Sequence, residues 1–342
     1  MKKILVLILS MVMAMGLISC GTTSTESTTD TTATTSTTDT ATDSTTTDSK
    51  TYTIGICQLV QHEALDAATQ GFKDALTEKL GDKVVFDEQN AAGDSATCAT
   101  ICNQFVSSNY DLILANATSA VQAAAASTST IPVLGTSVTD YATALDIDNW
   151  TGATGYNVSG TSDLAPLDKQ ASMIQELFPD AKNIGILYCS AEPNSKYQST
   201  TMMGYLTEMG YTCTEYTFAD SNDVAAVTQN ACSNSDIIYV PTDNVAASCS
   251  EAINNVAEPA GIPIVAGEEG ICKGCGIATL SISYYDLGYS TGEMAYEILV
   301  NGADISTMKI QYSPSITYEY MADRAAKLGV KIPDTYTAIT VE

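Results

Sequence analysis

From residue 51 onward, short apolar runs alternate with longer amphipathic stretches. Residues 52–57 read as a strand. Over 63–80, Leu65, Ala68, Phe72, Ala75, Leu76 and Leu80 recur at three- and four-residue steps, which predicts a helix. A strand at 84–86, a helix over 94–107, a strand at 111–115, a helix from about 119 and a strand at 131–134 continue the series. The pattern then restarts. Ile54-Gly55-Ile56 returns as Ile184-Gly185-Ile186, Asp111-Leu112-Ile113 as Asp236-Ile237-Ile238, and Ile131-Pro132-Val133 as Ile262-Pro263-Ile264. Three matches at nearly one offset predict two homologous α/β lobes, each a doubly wound parallel sheet with helices on both faces. Open sheets of this kind gather ligands at the carboxyl ends of their strands, so two facing lobes make a cleft there.

The residues that follow the predicted strands are small and polar. Asn116, Thr118 and Ser119 follow the third strand; Gly135, Thr136 and Ser137 follow the fourth. In the second half the same positions hold Glu192, Asn194 and Ser195, then Thr242, Asp243 and Asn244, then Gly267 and Glu268. Hydroxyls and free backbone N–H groups at helix N-termini suit a carboxylate, and acids opposite suit an ammonium. These residue types also cap helices, so each position has two readings. Asp243 is expected to face a ligand cation, with its loss costing affinity more than stability. His62 either contacts the cleft or caps the helix that begins at Glu63.

Charge narrows the partners. The 342 residues carry 14 Lys and Arg against 40 Asp and Glu, a net charge of −26. A polyphosphate needs clustered cations, so nucleic acid is excluded as a partner and an anionic membrane surface is disfavoured. The chain has one arginine, Arg324, and one histidine, His62, which leaves little for an arginine clamp or a catalytic triad. No nucleophile elbow or metal-ligand spacing accompanies His62. The reading is a non-catalytic protein with no cofactor and no metal.

The N-terminus carries an address. Met1, Lys2 and Lys3 form a basic start, residues 4–19 are apolar, and Ser19-Cys20 follows. Leu17-Ile18-Ser19-Cys20 resembles the bacterial lipobox, which implies a signal peptide over 1–19 and lipid on Cys20. Residues 20–50 then read as a tether of Thr, Ser, Asp and Ala that cannot form a core. Lipid at Cys20 would hold the protein to the outer face of the cytoplasmic membrane, at the cell surface. The nine remaining cysteines are odd in number and several sit in apolar strands, so they are expected to be free thiols, with Cys272 and Cys275 the one plausible pair.

The segment from Ile54 through His62 to Asp66, together with Pro241-Thr242-Asp243-Asn244, Gly267-Glu268-Glu269-Gly270 and Tyr284-Tyr285-Asp286-Leu287-Gly288, resembles ABC-transporter substrate-binding lipoproteins of the tryptophan/tyrosine/phenylalanine type. The likeness runs from about 52 to 333. It implies the type I periplasmic-binding-protein fold, with a three-segment hinge crossed near 160, 282 and 312. Residues 51–160 with 283–312 would form the N-terminal lobe, and 161–282 with 313–342 the C-terminal lobe. It also implies a monomer that delivers an amino-acid-like ligand, aromatic by family habit, to an ABC permease and its ATPase. Thr118, Ser119, Thr136 and Ser137 would hold the ligand carboxylate, and Asp243 and Glu268 its ammonium. Gln58, His62, Tyr188, Tyr284 and Tyr285 would set side-chain preference, with Glu192, Asn194, Ser195, Thr242 and Asn244 completing the wall. A receptor for a branched-chain amino acid, nucleoside or sugar, or a ligand sensor on the same fold, is the alternative.

Overall fold

The computed structural model describes residues 50–313 and 315–341. The signal segment, Cys20 and the tether expected before Lys50 lie outside the described residues. The chain begins with β1 (Tyr52–Gln58), α1 (Glu63–Leu80), β2 (Val84–Asn90), α2 (Ser95–Ser107), β3 (Leu112–Asn116), α3 (Thr118–Ser127), β4 (Val133–Val138), α4 (Tyr141–Ala144) and β5 (Val158–Ser162). A second series follows: α5 (Leu167–Leu177), β6 (Asn183–Cys189), α6 (Pro193–Glu208), β7 (Thr212–Phe218), α7 (Val224–Asn234), β8 (Ile237–Val240), α8 (Asn244–Ser248), α9 (Ser250–Ala260), β9 (Ile264–Ala266), α10 (Glu269–Gly274) and β10 (Ala278–Ser281). The chain then runs through α11 (Tyr284–Leu299) and β11 (Gln311–Tyr312), and ends with β12 (Thr317–Tyr320), α12 (Ala322–Leu328) and β13 (Thr337–Ala338).

The strands form two sheets, in the orders β11-β5-β4-β3-β1-β2 and β13-β12-β10-β9-β8-β6-β7. All pairings are parallel except β12 against β10. The chain therefore crosses between sheets after Ser162, after Ser281 and after Tyr312. Each lobe is a doubly wound α/β unit, and its strand ends face the other lobe.

The internal repeat has a physical cause. In the first lobe the Asp111 carboxylate accepts from the Thr53 N–H at 2.8 Å; in the second, Asp236 accepts from the Asn183 N–H at 2.8 Å. The same acid pins the start of the same strand in each half.

Helix α1 follows its apolar spacing: Leu65, Ala68, Phe72, Ala75 and Leu76 are buried against the sheet and α11. Acids in its first turn and Lys79 in its last complement the helix dipole. Its backbone lies so close to α11 that a Cβ on Gly288 would overlap the Ala68 carbonyl. That contact fastens α11, which starts just after the second crossing, to the first lobe.

Two details depart from the sequence reading. Thr136 and Ser137 belong to β4 itself, whose pairing with β5 slips between Gly135 and Val138. Ser137 sits at that irregularity with φ of 55°. The fully buried strand β5, Val-Ser-Gly-Thr-Ser, has no apolar run to announce it.

A carboxylate- and hydroxyl-lined cleft

The strand ends of the two lobes meet. His62, the N-cap of α1, donates through Nε2 to Asn244 Oδ1 on α8 at 3.2 Å, and burial holds its imidazole below its ordinary pKa. Gln198 on α6 donates to Thr139, just past β4, at 3.2 Å. Lys273 on α10 pairs with Glu63 on α1. At the strand ends the cleft encloses about 10 Å³ lined by His62, Asp163, Thr242, Asp243, Glu268 and Tyr284. That is room for about one water molecule, so an amino acid could enter only when the lobes part. A larger cavity of about 230 Å³ lies on the hinge side, and Glu268 and Tyr284 border both spaces.

The first lobe contributes hydroxyls. Thr118 and Ser119 begin α3, whose preceding residue Ala117 has φ of 95°. The Thr118 and Ser137 hydroxyls are buried and have no hydrogen-bond partner; the same holds for Asn116 Oδ1 and, from the second lobe, Asn194 Oδ1. A buried polar atom without a partner costs about 1–3 kcal/mol, which a ligand can relieve.

The second lobe contributes acids, and most of their oxygens are committed. Glu192 accepts from Asn194 Nδ2, from the Asn244 backbone and side chain, and from the Val245 N–H, at 2.6–3.1 Å. Asp243 caps α8 through the Ala246 N–H at 2.7 Å, and also accepts from the Cys189 N–H and Ser195 Oγ, both at 2.7 Å. Asp243 thus caps α8 with one oxygen and ties the strand–helix junction with the other, while it also borders the cleft. Glu268 caps α10 through the Gly270 and Ile271 N–H groups. Thr242 is held by Gln198 through both its hydroxyl and its N–H.

Four residues expected to touch the ligand, three through its side chain and Thr136 through its carboxylate, are bonded to other partners. Tyr188 packs in the second lobe's core and donates to Glu215 on β7 at 2.7 Å, because strand alternation turns it away from the cleft. Gln58 folds onto α1, bonded to Asp66 and Thr69. Thr136 points under the sheet to Thr161, which bonds Thr291 on α11. Tyr285 is exposed and donates to Asp74. Tyr284 remains in the site and donates to Asp163 at 2.9 Å. Asp163, Thr139 and Gln198 join these contacts without a clear sequence signal: Asp163 is an acid directly after a strand end, but β5 does not read as a strand.

Arg324 serves no ligand. Its guanidinium donates to the carbonyls of Cys272, Lys273, Gly274 and Gly276 at 2.7–2.9 Å, closing the C-terminal end of α10. All nine cysteines of the described residues are free, Cys272 and Cys275 included. Among the described residues no helix is long and apolar enough to cross a membrane.

Residues 53–341 match the family model of ABC transporter substrate binding proteins, and the chain belongs to that family. It is a binding protein of an ABC system, extracytoplasmic and not an enzyme. A tyrosine-binding protein of Clostridioides difficile (strain R20291) is 39% identical over 253 residues, 73% of each chain. The ABC domain in complex with L-Trp from Streptococcus pneumonia is 30% identical, with a TM-score of 0.81 over 85% of this chain and 100% of that one. The ligand-free, open structure of a Clostridium difficile substrate binding protein with adhesive properties is 36% identical over the same shares, with a TM-score of 0.64. The open structure is closer in sequence and farther in shape. The cross-lobe bonds of His62, Gln198 and Lys273 by themselves describe lobes in contact.

Proposed function

We propose that this protein captures an amino acid, an aromatic one, between its lobes and hands it to an ABC permease. The observation that carries the reading is the cleft's polarity. The unpartnered, buried Thr118 hydroxyl stands in the first turn of α3 and borders a space with Asn194 of the second lobe. Asp163, Asp243 and Glu268 line the cleft at the strand ends, with Glu192 buried behind them on Asn194 and Asn244. Among the described residues, none of these four acids forms an ion pair with a lysine or arginine. A helix N-terminus with hydroxyls suits a carboxylate, and an acidic wall suits an ammonium. A free α-amino acid has both; a sugar or nucleoside has neither. The tyrosine-binding and L-Trp-bound relatives support the aromatic side chain.

Calorimetric titration with the twenty amino acids, nucleosides and sugars tests this. Tyrosine, tryptophan or phenylalanine should bind with Kd of about 1 μM or tighter, about −8 kcal/mol. Tight binding of a sugar or nucleoside, with no amino acid bound, would overturn it.

The lipid anchor belongs to the same proposal. The basic start, the apolar stretch and Ser19-Cys20 support acylation of Cys20 at the outer face of the cytoplasmic membrane. Cys20→Ala should move the protein from the membrane fraction to the soluble one. Retention in the membrane fraction would instead make the apolar stretch an uncleaved anchor.

A further inference from the structure

We propose that Asp163, at the first crossing between the lobes, is the residue that holds the ligand's ammonium, and that Tyr284 and Thr139 position it. This rests on the amino-acid reading above.

The four buried acids differ in what their oxygens have left to give. A carboxylate has about four lone-pair positions. Glu192 spends four on Asn194, Asn244 and Val245. Asp243 spends three on its own lobe, two of them on backbone N–H groups. Glu268 spends two, one on each oxygen like Asp163, but both go to backbone N–H groups of its own helix, which fix its direction. Asp163 accepts one hydroxyl on each oxygen, Thr139 Oγ1 at 3.2 Å and Tyr284 OH at 2.9 Å. Each oxygen keeps room for a further donor, and the residue borders the cleft beside His62, Thr242 and Glu268.

Charge favours the same residue. Burial raises Asp163 above the ordinary carboxylate range, and the two hydroxyls that donate to it pull it back down. It is 5% exposed, and no lysine or arginine pairs with it among the described residues. A buried, ionised carboxylate without a cation is unfavourable, and an ammonium relieves it.

Position adds a consequence. Asp163 follows β5 at the first crossing, and Tyr284 opens α11 after the second. Thr139, the other partner, receives Gln198 from the second lobe. An ammonium on Asp163 would thus brace two crossings and the lobe contact at once.

The test uses two ligands with one skeleton: L-tyrosine, and 3-(4-hydroxyphenyl)propanoate, which lacks only the amino group. Affinities are measured by calorimetry at pH 7.5 on the wild type, Asp163→Asn and Tyr284→Phe. The wild type should prefer tyrosine by a hundredfold or more. Asp163→Asn should lose about a hundredfold for tyrosine and less than about threefold for the propanoate, bringing the ratio near one. Tyr284→Phe leaves the carboxylate in place but frees one oxygen from its guide, and should cut the ratio about tenfold; it keeps the test valid if the Asn variant does not fold. A merely structural role would weaken both ligands alike and leave the ratio unchanged, which would overturn the assignment while the amino-acid reading stands. A wild type that binds no aromatic amino acid would overturn both.

Discussion

Asp243→Ala is expected to lower the midpoint of thermal unfolding of the ligand-free protein by roughly 6–10 °C. The carboxylate is 1% exposed and accepts three hydrogen bonds from the second lobe. Alanine leaves the Cys189 and Ala246 N–H groups and the Ser195 hydroxyl buried without that acceptor, at about 1–3 kcal/mol each before relaxation. It also removes the cap of α8, about 1 kcal/mol. A net loss of ~3 kcal/mol corresponds to roughly the stated shift for a domain of this size. Asp243→Asn should also destabilise: its amide oxygen can still cap Ala246, but its NH₂ then faces the Cys189 N–H, donor against donor. Melting curves of both variants without ligand decide the matter. A midpoint within a degree or two of the wild type, with affinity reduced a hundredfold, would return Asp243 to the role its sequence position suggested.

Stability should also rise as pH falls from 8 to 5. Burial lifts Asp163 to about 6, Glu268 and Glu319 to about 7, and Asp243 to about 8, the last with help from the Glu192 charge. Their ordinary values are 3.8 for Asp and 4.5 for Glu. Between the unfolded and folded values the folded protein binds more protons than the unfolded chain, so stability declines with rising pH. The loss starts above the unfolded values and is complete once pH passes the folded ones. His62 works in the opposite sense: burial lowers it, so it loses stability below its unfolded 6.5. One imidazole opposes four carboxyls. A tenfold change in a group's proton affinity is worth about 1.4 kcal/mol. The three fully buried acids outweigh the one imidazole, and half-exposed Glu319 adds less, so the melting midpoint should be higher at pH 5 than at pH 8. Thermal melts of the ligand-free protein across that range measure it, and a midpoint that is flat or climbs with pH would refute it. Glu268→Gln, which does not titrate, should flatten the curve.

What the sequence determined by itself was whatever depends on neighbours along the chain. The step of three and four in α1 places Leu65, Ala68, Phe72 and Leu76 on one face whatever lies opposite. The repeated Asp111 and Asp236 mark the same strand start in each half, and with the two Ile-Gly-Ile strands they define a doubled, wound sheet. The polar residues after β3, β6, β8 and β9 point to the cleft because a parallel sheet ends all its strands on one side. Only the tertiary structure decided which of those residues faces a ligand. Side-chain type does not separate a cap from a contact: Asp243, Glu192 and Glu268 read as binding acids, and the backbone N–H groups of α8 and α10 claim them. Strand β5 was hidden for a related reason. Its small polar residues are buried by β4 on one side and by β11, roughly 150 residues later, on the other, with Ser159 bonded to the Met308 carbonyl. Asp163 gains its place only when that strand delivers it to Tyr284, 121 residues on, and a contact made across that distance leaves no period or local spacing for a sequence to display.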